Sequence, residues 1–219
     1  MPNLESLLAP IRHSPQLPEA ISRLQEELVA ERQRRGKFYK EMTPEQKIEF
    51  IDGQVVLHSP ARNRHLEVTK FVATLLNPHV AINKLGTIKI EKCLCVFPRN
   101  DYEPDIVYFG REKSASLTDE TLKFPVPDLA VEILSKSTEK VDRGVKFEDF
   151  AANGVGEYWI IDADKSVIEQ FVLREGEFDL AMKSGSGWIE SPVISGFRCQ
   201  IEAFFDEARN LEALKALVG

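Results

Sequence analysis

Long apolar runs are missing from this chain: no stretch approaches the roughly eighteen consecutive apolar residues that a membrane-spanning helix needs. The opening Met1-Pro2-Asn3-Leu4-Glu5-Ser6 lacks the basic start of a secretory signal, so a cytoplasmic protein with no membrane contact is expected. Cysteine is scarce, three residues in all. Two-residue periodicity puts Cys93 and Cys95 on one face of a strand, where bridging them would be badly strained, so reduced thiols are expected. The four histidines, His13, His58, His65 and His79, form no set at zinc-ligand spacing. Positive charge is in deficit, with 28 Lys and Arg against 35 Asp and Glu, a net charge of −7. That balance works against general affinity for nucleic acid, because neutralising phosphates takes clustered cations. A local basic groove remains available from Arg62 and Arg64 beside His65, and from Lys136, Lys140, Arg143 and Lys146; the alternative is a set of solvated surface charges. Internal repeats and low-complexity segments are also absent.

What is present suits one large core. The chain has 219 residues, 43% hydrophobic and 29% charged, ordinary values for a globular domain. Residues 1–16 read as a loose arm. Pro18 to Arg35, with Ile21, Leu24 and Leu28 at helical spacing and Gly36 as a stop, reads as a helix with a narrow apolar stripe. These make an N-terminal part over 1–42, ahead of a domain over 43–219. Asp52-Gly53 between Ile48–Ile51 and Gln54–Leu57 signals a hairpin. Asn63 to Leu76 reads as a core helix through Leu66, Phe71, Val72, Leu75 and Leu76. Gly86 opens one long alternating strand to Val96, and Asp105 to Phe109 returns as the next. The segment after Ser135 to Thr138 is a helix running to about Asn153 and stopping at Gly154. Tyr158 to Ile161, Val167 to Leu173 and Phe178 to Met182 follow as strands, and a last helix starts near Asp206.

One residue breaks the pattern. Leu129-Ala130-Val131-Glu132-Ile133-Leu134 is an apolar run of strand length, the signature of a strand covered on both faces, with Glu132 inside it. A carboxylate there costs several kcal/mol unless it is paired, hydrogen-bonded or bound to a cation. Asp105 after Pro104, Glu132 in the next strand and Lys146 on the helix beyond are the groups a magnesium-assisted phosphodiester hydrolase uses. Carboxylates hold a hard cation and an ammonium stabilises negative charge on phosphate. Each also has a plain structural explanation. Asp105 can cap a turn after proline, Lys146 can pair with Asp142 or Asp149 on a helix surface, His65 can be a polar helix-end group, and Glu132 can bridge to a buried arginine.

The ordered strings Pro104-Asp105-Ile106-Val107, Pro127-Asp128-Leu129-Ala130-Val131-Glu132-Ile133-Leu134-Ser135-Lys136-Ser137-Thr138, Asp142-Arg143-Gly144-Val145-Lys146-Phe147 and Gly154-Val155-Gly156-Glu157-Tyr158-Trp159-Ile160-Ile161-Asp162 resemble the Uma-type restriction endonucleases. These form a bacterial branch of the restriction-endonuclease-like superfamily with the PD-(D/E)XK signature. The similarity runs from about Thr43 to Phe205 and includes His65. It implies an α/β (α+β) fold, a mixed β-sheet flanked by helices, and a Mg²⁺ or Mn²⁺ site that hydrolyses the DNA backbone. Asp105 would match the signature aspartate and Glu132 the second acid, with the main-chain carbonyl of Ile133 as a further metal ligand and His65 as a further site residue. Pro127-Asp128 is a weaker match for the aspartate. The signature lysine position holds Leu134, so Lys146 is the expected substitute and Arg143 a lesser one. A non-catalytic interaction module on the same fold is the alternative, and RNA is a substrate the sequence does not separate from DNA. Many enzymes of the superfamily act as pairs, so the helix stripe from Pro18 to Arg35 is a candidate homodimer surface.

Overall fold

In a computed structural model describing residues 4–43 and 45–218, the chain begins with two helices, α1 (Leu4–Arg12) and α2 (Leu17–Glu41). The expected loose arm is therefore helical over most of its described length, although Pro10 lies inside α1. The second helix also runs straight through Gly36. A glycine costs about 1 kcal/mol within a helix, and here the tertiary contacts beyond it outweigh that. The Arg35 guanidinium forks onto Asp101 at 2.7 and 2.6 Å and donates to the carbonyls of Phe97, Pro98 and Asn100. Phe38 packs on Phe50 with ring centroids 5.7 Å apart. The C-terminal half of α2 is thus fixed to its own domain, while Ile21, Leu24, Leu28 and Val29 of the other half stay exposed.

Strands β1 (Ile48–Ile51) and β2 (Gln54–Leu57) form the hairpin that Asp52-Gly53 signals. Both turn residues have positive φ, 48° and 78°, as a two-residue turn of this type requires. Helix α3 (Asn63–Ile82) is longer than expected, continuing through Pro78, and Leu66 is exposed rather than in its core face. The long strand expected from Gly86 to Val96 is broken. It forms β3 (Gly86–Ile90) and β4 (Cys95–Val96), which belong to different sheets. Between them Glu91 and Lys92 adopt left-handed φ values of 54° and 44°, which no alternating strand can hold. Next come β5 (Asp101–Tyr102), β6 (Ile106–Gly110), the short α4 (Arg111–Ala115) and β7 (Leu129–Ile133). The helix expected up to Asn153 divides at Gly144 into α5 (Glu139–Asp142) and α6 (Val145–Ala152). Strands β8 (Glu157–Asp162), β9 (Val167–Arg174) and β10 (Glu177–Ser184) follow, then β11 (Trp188–Glu190), β12 (Arg198–Gln200), a 3₁₀ turn at Ile201–Phe204 and α7 (Glu207–Val218).

The main sheet has six strands in the order β10-β9-β8-β7-β6-β3, and only β7 and β8 run parallel, joined through α5 and α6. The hairpin belongs to a second sheet, β2-β1-β5-β4. Residues alternate across β7. Leu129, Val131 and Ile133 join the core under α3 and the C-terminal segment, with Trp159, Phe197 and Phe204. Ala130 faces the opposite core, with Tyr102, Phe150 and Tyr158. Period-two alternation sends Glu132 to that second side, between the main sheet and the elements that carry β1 and α6. The three cysteines are free and buried.

Candidate active site

The pairing of β6 with β7 sets the site. Ile106 lies opposite Val131 in an antiparallel register, which brings Asp105, one residue before β6, alongside Glu132. The Asp105 carboxylate is aimed by the backbone, since its Oδ2 accepts the Ile133 N–H at 2.8 Å. Three side chains from elsewhere close around it. Lys47, just before β1, donates to Asp105 Oδ1 at 2.7 Å and to Glu91 Oε2 at 3.1 Å. His65, in the first turn of α3, puts Nε2 3.3 Å from Asp105 Oδ1. Burial works to raise the Asp105 carboxyl, but the His65 hydrogen bond and the Lys47 charge outweigh it and hold it well below the usual range. Burial likewise works to lower the His65 imidazole, and its hydrogen bond to Asp105 raises it instead.

Lys146, on α6, meets a separate set of carboxylates that includes Glu132. Its Nζ lies 2.8 Å from Glu132 Oε1, 2.8 Å from Glu49 Oε1 and 3.4 Å from Asp142 Oδ1. The side chain is 2% exposed. The expected pairing with Asp142 therefore exists, but as one part of a buried cluster and not as a surface bridge. Burial, only partly offset by the Lys146 ammonium, lifts the Glu132 carboxyl well above the usual range, and the neighbouring Asp142, Asp105 and Glu49 charges add to the rise. No arginine meets Glu132 among the hydrogen bonds and ion pairs of the described residues; its partner is Lys146.

These groups line one open cavity of about 780 Å³ that contains Asp105, Glu132, Ile133, Lys146, His65 and Lys47 in its wall. Its floor is acidic, and Arg62, Arg64, Lys92 and Lys136 stand in the same lining. Arg64 is tied down, donating to the Ala163 carbonyl and Ser166 Oγ at 3.1 Å each. Arg143 is elsewhere, forked onto Glu169 at 2.6 and 3.1 Å. Asp128 is also outside the site, accepting from the Gly110 N–H and pairing with Lys113 at 2.6 Å each. Leu134 lies in the cavity wall at the signature lysine position.

The donor set suits a divalent cation. Among the described residues, His65, Glu91 and Asp105 each offer a ligand atom, all within 4.8 Å of one another. Carboxylate oxygens suit Mg²⁺ or Mn²⁺, and one imidazole is compatible with the second. The Lys47 ammonium lying between Asp105 and Glu91 shows that the local field calls for positive charge. Sequence reasoning found Asp105, Glu132, Lys146 and His65 in one place but missed Lys47, Glu49 and Glu91. Lys47 directly precedes β1 with nothing in the sequence to mark it, and Glu91 falls at a polar position of the alternation from Gly86 to Val96, where a carboxylate is commonplace. Glu49 is buried at 1% in a strand whose pattern reads Ile-Glu-Phe-Ile, the same signal of an acid inside an apolar run that exposed Glu132.

A mixed sheet flanked by helices, with one acid just before a strand, a second acid on the adjoining strand and a buried lysine from the crossover helix in one cavity wall, is the build of a restriction-endonuclease-like fold. The Uma2 family, described as "Putative restriction endonuclease", matches residues 37–202, and the chain belongs to that family. A crystal structure described as a putative nuclease belonging to DUF820 from Anabaena variabilis ATCC 29413 is similar to it, with a TM-score of 0.67 and 18% identity over 81% of this chain and 96% of that one. At that identity the likeness shows the fold. No curated protein matches the chain.

Proposed function

We propose that the protein is a cytoplasmic, divalent-metal-dependent endonuclease that hydrolyses DNA phosphodiester bonds. The carrying observation is that Asp105 and Glu132, from neighbouring strands, share one open cavity with His65, Glu91 and two lysines. Asp105 stays ionised and is fixed in orientation by the Ile133 N–H, as a metal ligand must be. Glu132 and the Ile133 carbonyl serve as further ligands in this reading, Glu132 giving up the proton that burial favours once a cation supplies the opposing charge. When bound, Mg²⁺ or Mn²⁺ supplies a water of lowered pKa and neutralises charge on the phosphate. His65 holds Asp105 and is near enough to the cavity to orient water. Lys146 holds Glu132 in place. Arg62 and Lys136 at the cavity suit the flanking backbone phosphates, which gives an acidic protein local affinity for a polyanion.

The test is cleavage of supercoiled plasmid by the pure protein in Mg²⁺ or Mn²⁺, with the near-isosteric Glu132→Gln as control. The variant should keep its melting temperature and lose about a hundredfold or more in rate; unchanged cleavage removes Glu132 from the site. The competing reading, a non-catalytic module on the same fold, is favoured by Leu134 at the signature lysine position. It wins if the protein neither cuts nor binds Mn²⁺ in a calorimetric titration.

A further inference from the structure

We infer that Lys47, and not Lys146, is the ammonium that meets the phosphate at the reacting centre, a catalytic role that rests on the nuclease reading above. Two lysines reach the acids, and they are placed very differently. Lys146 projects from α6 to the buried end of the cavity wall with its side chain 2% exposed, and its ammonium lies 2.8, 2.8 and 3.4 Å from the carboxylates of Glu132, Glu49 and Asp142. To touch a phosphate it would have to leave buried acids without a counter-charge, which a folded protein resists strongly.

Lys47 is in the opposite situation. Its side chain is 19% exposed and lines the cavity. Asp105 and Glu91 take two of its three N–H groups. The backbone at Lys47 is anchored, because its carbonyl accepts the His58 N–H at 3.1 Å, so the β1–β2 hairpin holds the stem while the ammonium reaches Asp105 Oδ1. Asp105 and Glu91 are also two of the three residues able to share an ion. In the metal-free protein Lys47 therefore neutralises ligands. Once those oxygens are ligated, its N–H groups are free for the non-bridging oxygens of a phosphate at the same place, where negative charge grows as the nucleophile adds.

This placement has a signature that a merely structural lysine would not produce. Removing the charge while keeping the stem, as Lys47→Met, deletes a competitor for the acids and a partner for the phosphate together. The variant should bind Mn²⁺ more tightly than wild type by calorimetry, and at saturating Mn²⁺ should cleave plasmid about a hundredfold or more slowly. Thermal melts of Lys47→Met and Lys47→Gln check that both fold, and either one suffices for the comparison. Cleavage by the folded variant at close to the wild-type rate overturns the inference while leaving the nuclease reading intact. Weaker Mn²⁺ binding overturns it too, since Lys47 would then support the ligands and not compete for them. A wild-type protein that cuts with neither metal defeats the nuclease reading itself, and this inference with it.

Discussion

At the scale of single residues, the Lys146 cluster concentrates charge in the interior. Three carboxylates, Glu49, Glu132 and Asp142, converge on one ammonium, and burial raises the Asp142 carboxyl despite the Lys146 charge. Removing the ammonium strands acids that water cannot reach. Lys146→Met should therefore lower unfolding stability by about 3–5 kcal/mol in a urea titration, and adding Glu49→Gln should return part of the loss. Equal stability of the wild type and Lys146→Met would show the cluster to be hydrated. The sequence exposed Glu132 because an acid inside an apolar strand is costly and therefore conspicuous. Lys47 carries no such mark. A lysine beside a turn is what any soluble protein shows, and only the β1–β2 hairpin and the docking of two sheets bring it against Asp105.

Among elements, local signals succeeded where they were strong and local. The Asp52-Gly53 turn dictates its hairpin through backbone conformation alone, and β7 was legible from composition. They failed where long-range contact overrode them. Gly36 does not end α2, because Arg35 and Phe38 fix the residues on either side of it to the domain. The alternation from Gly86 to Val96 continues through a point where the chain turns out of one sheet and into another. The two halves of α2 also differ in what covers them. Ile21, Leu24 and Leu28 are 46%, 57% and 42% exposed, and we propose that a second copy of the chain packs on this stripe. Light scattering should give a dimer mass for wild type and a monomer mass for Leu24→Glu/Leu28→Glu. A monomeric wild type at working concentration removes the proposal.

Over the whole molecule, the charge is unevenly arranged, as the polyanionic substrate proposed above would need. The net charge of −7 includes the concentrated acids beneath the cavity, which are matched by lysine and suited to a cation. It also makes stability depend on acid. The Glu49 carboxyl is buried, which alone would raise it, but Lys146 and the His58 hydrogen bond bring it down from the usual 4.5 to about 2. A carboxyl lowered on folding stabilises the fold above its unfolded pKa and loses that contribution as pH falls through the folded one. Wild type should thus lose stability between about pH 5 and pH 2, with Glu49 accounting for on the order of 2–3 kcal/mol of the change. Glu49→Gln should flatten that part of a pH series of chemical melts; an unchanged slope would assign the acid sensitivity to other carboxyls.

Leu134 stands where a lysine would ordinarily project from β7, yet two ammonium groups reach the neighbouring acids, one from the approach to a hairpin and one from a crossover helix. Positive charge at such a centre is thus a property of the assembled cavity and not of any one strand. Motif searches that demand the strand lysine would discard chains of this build as degenerate, and an inventory of cations around the acids, taken in three dimensions, would keep them.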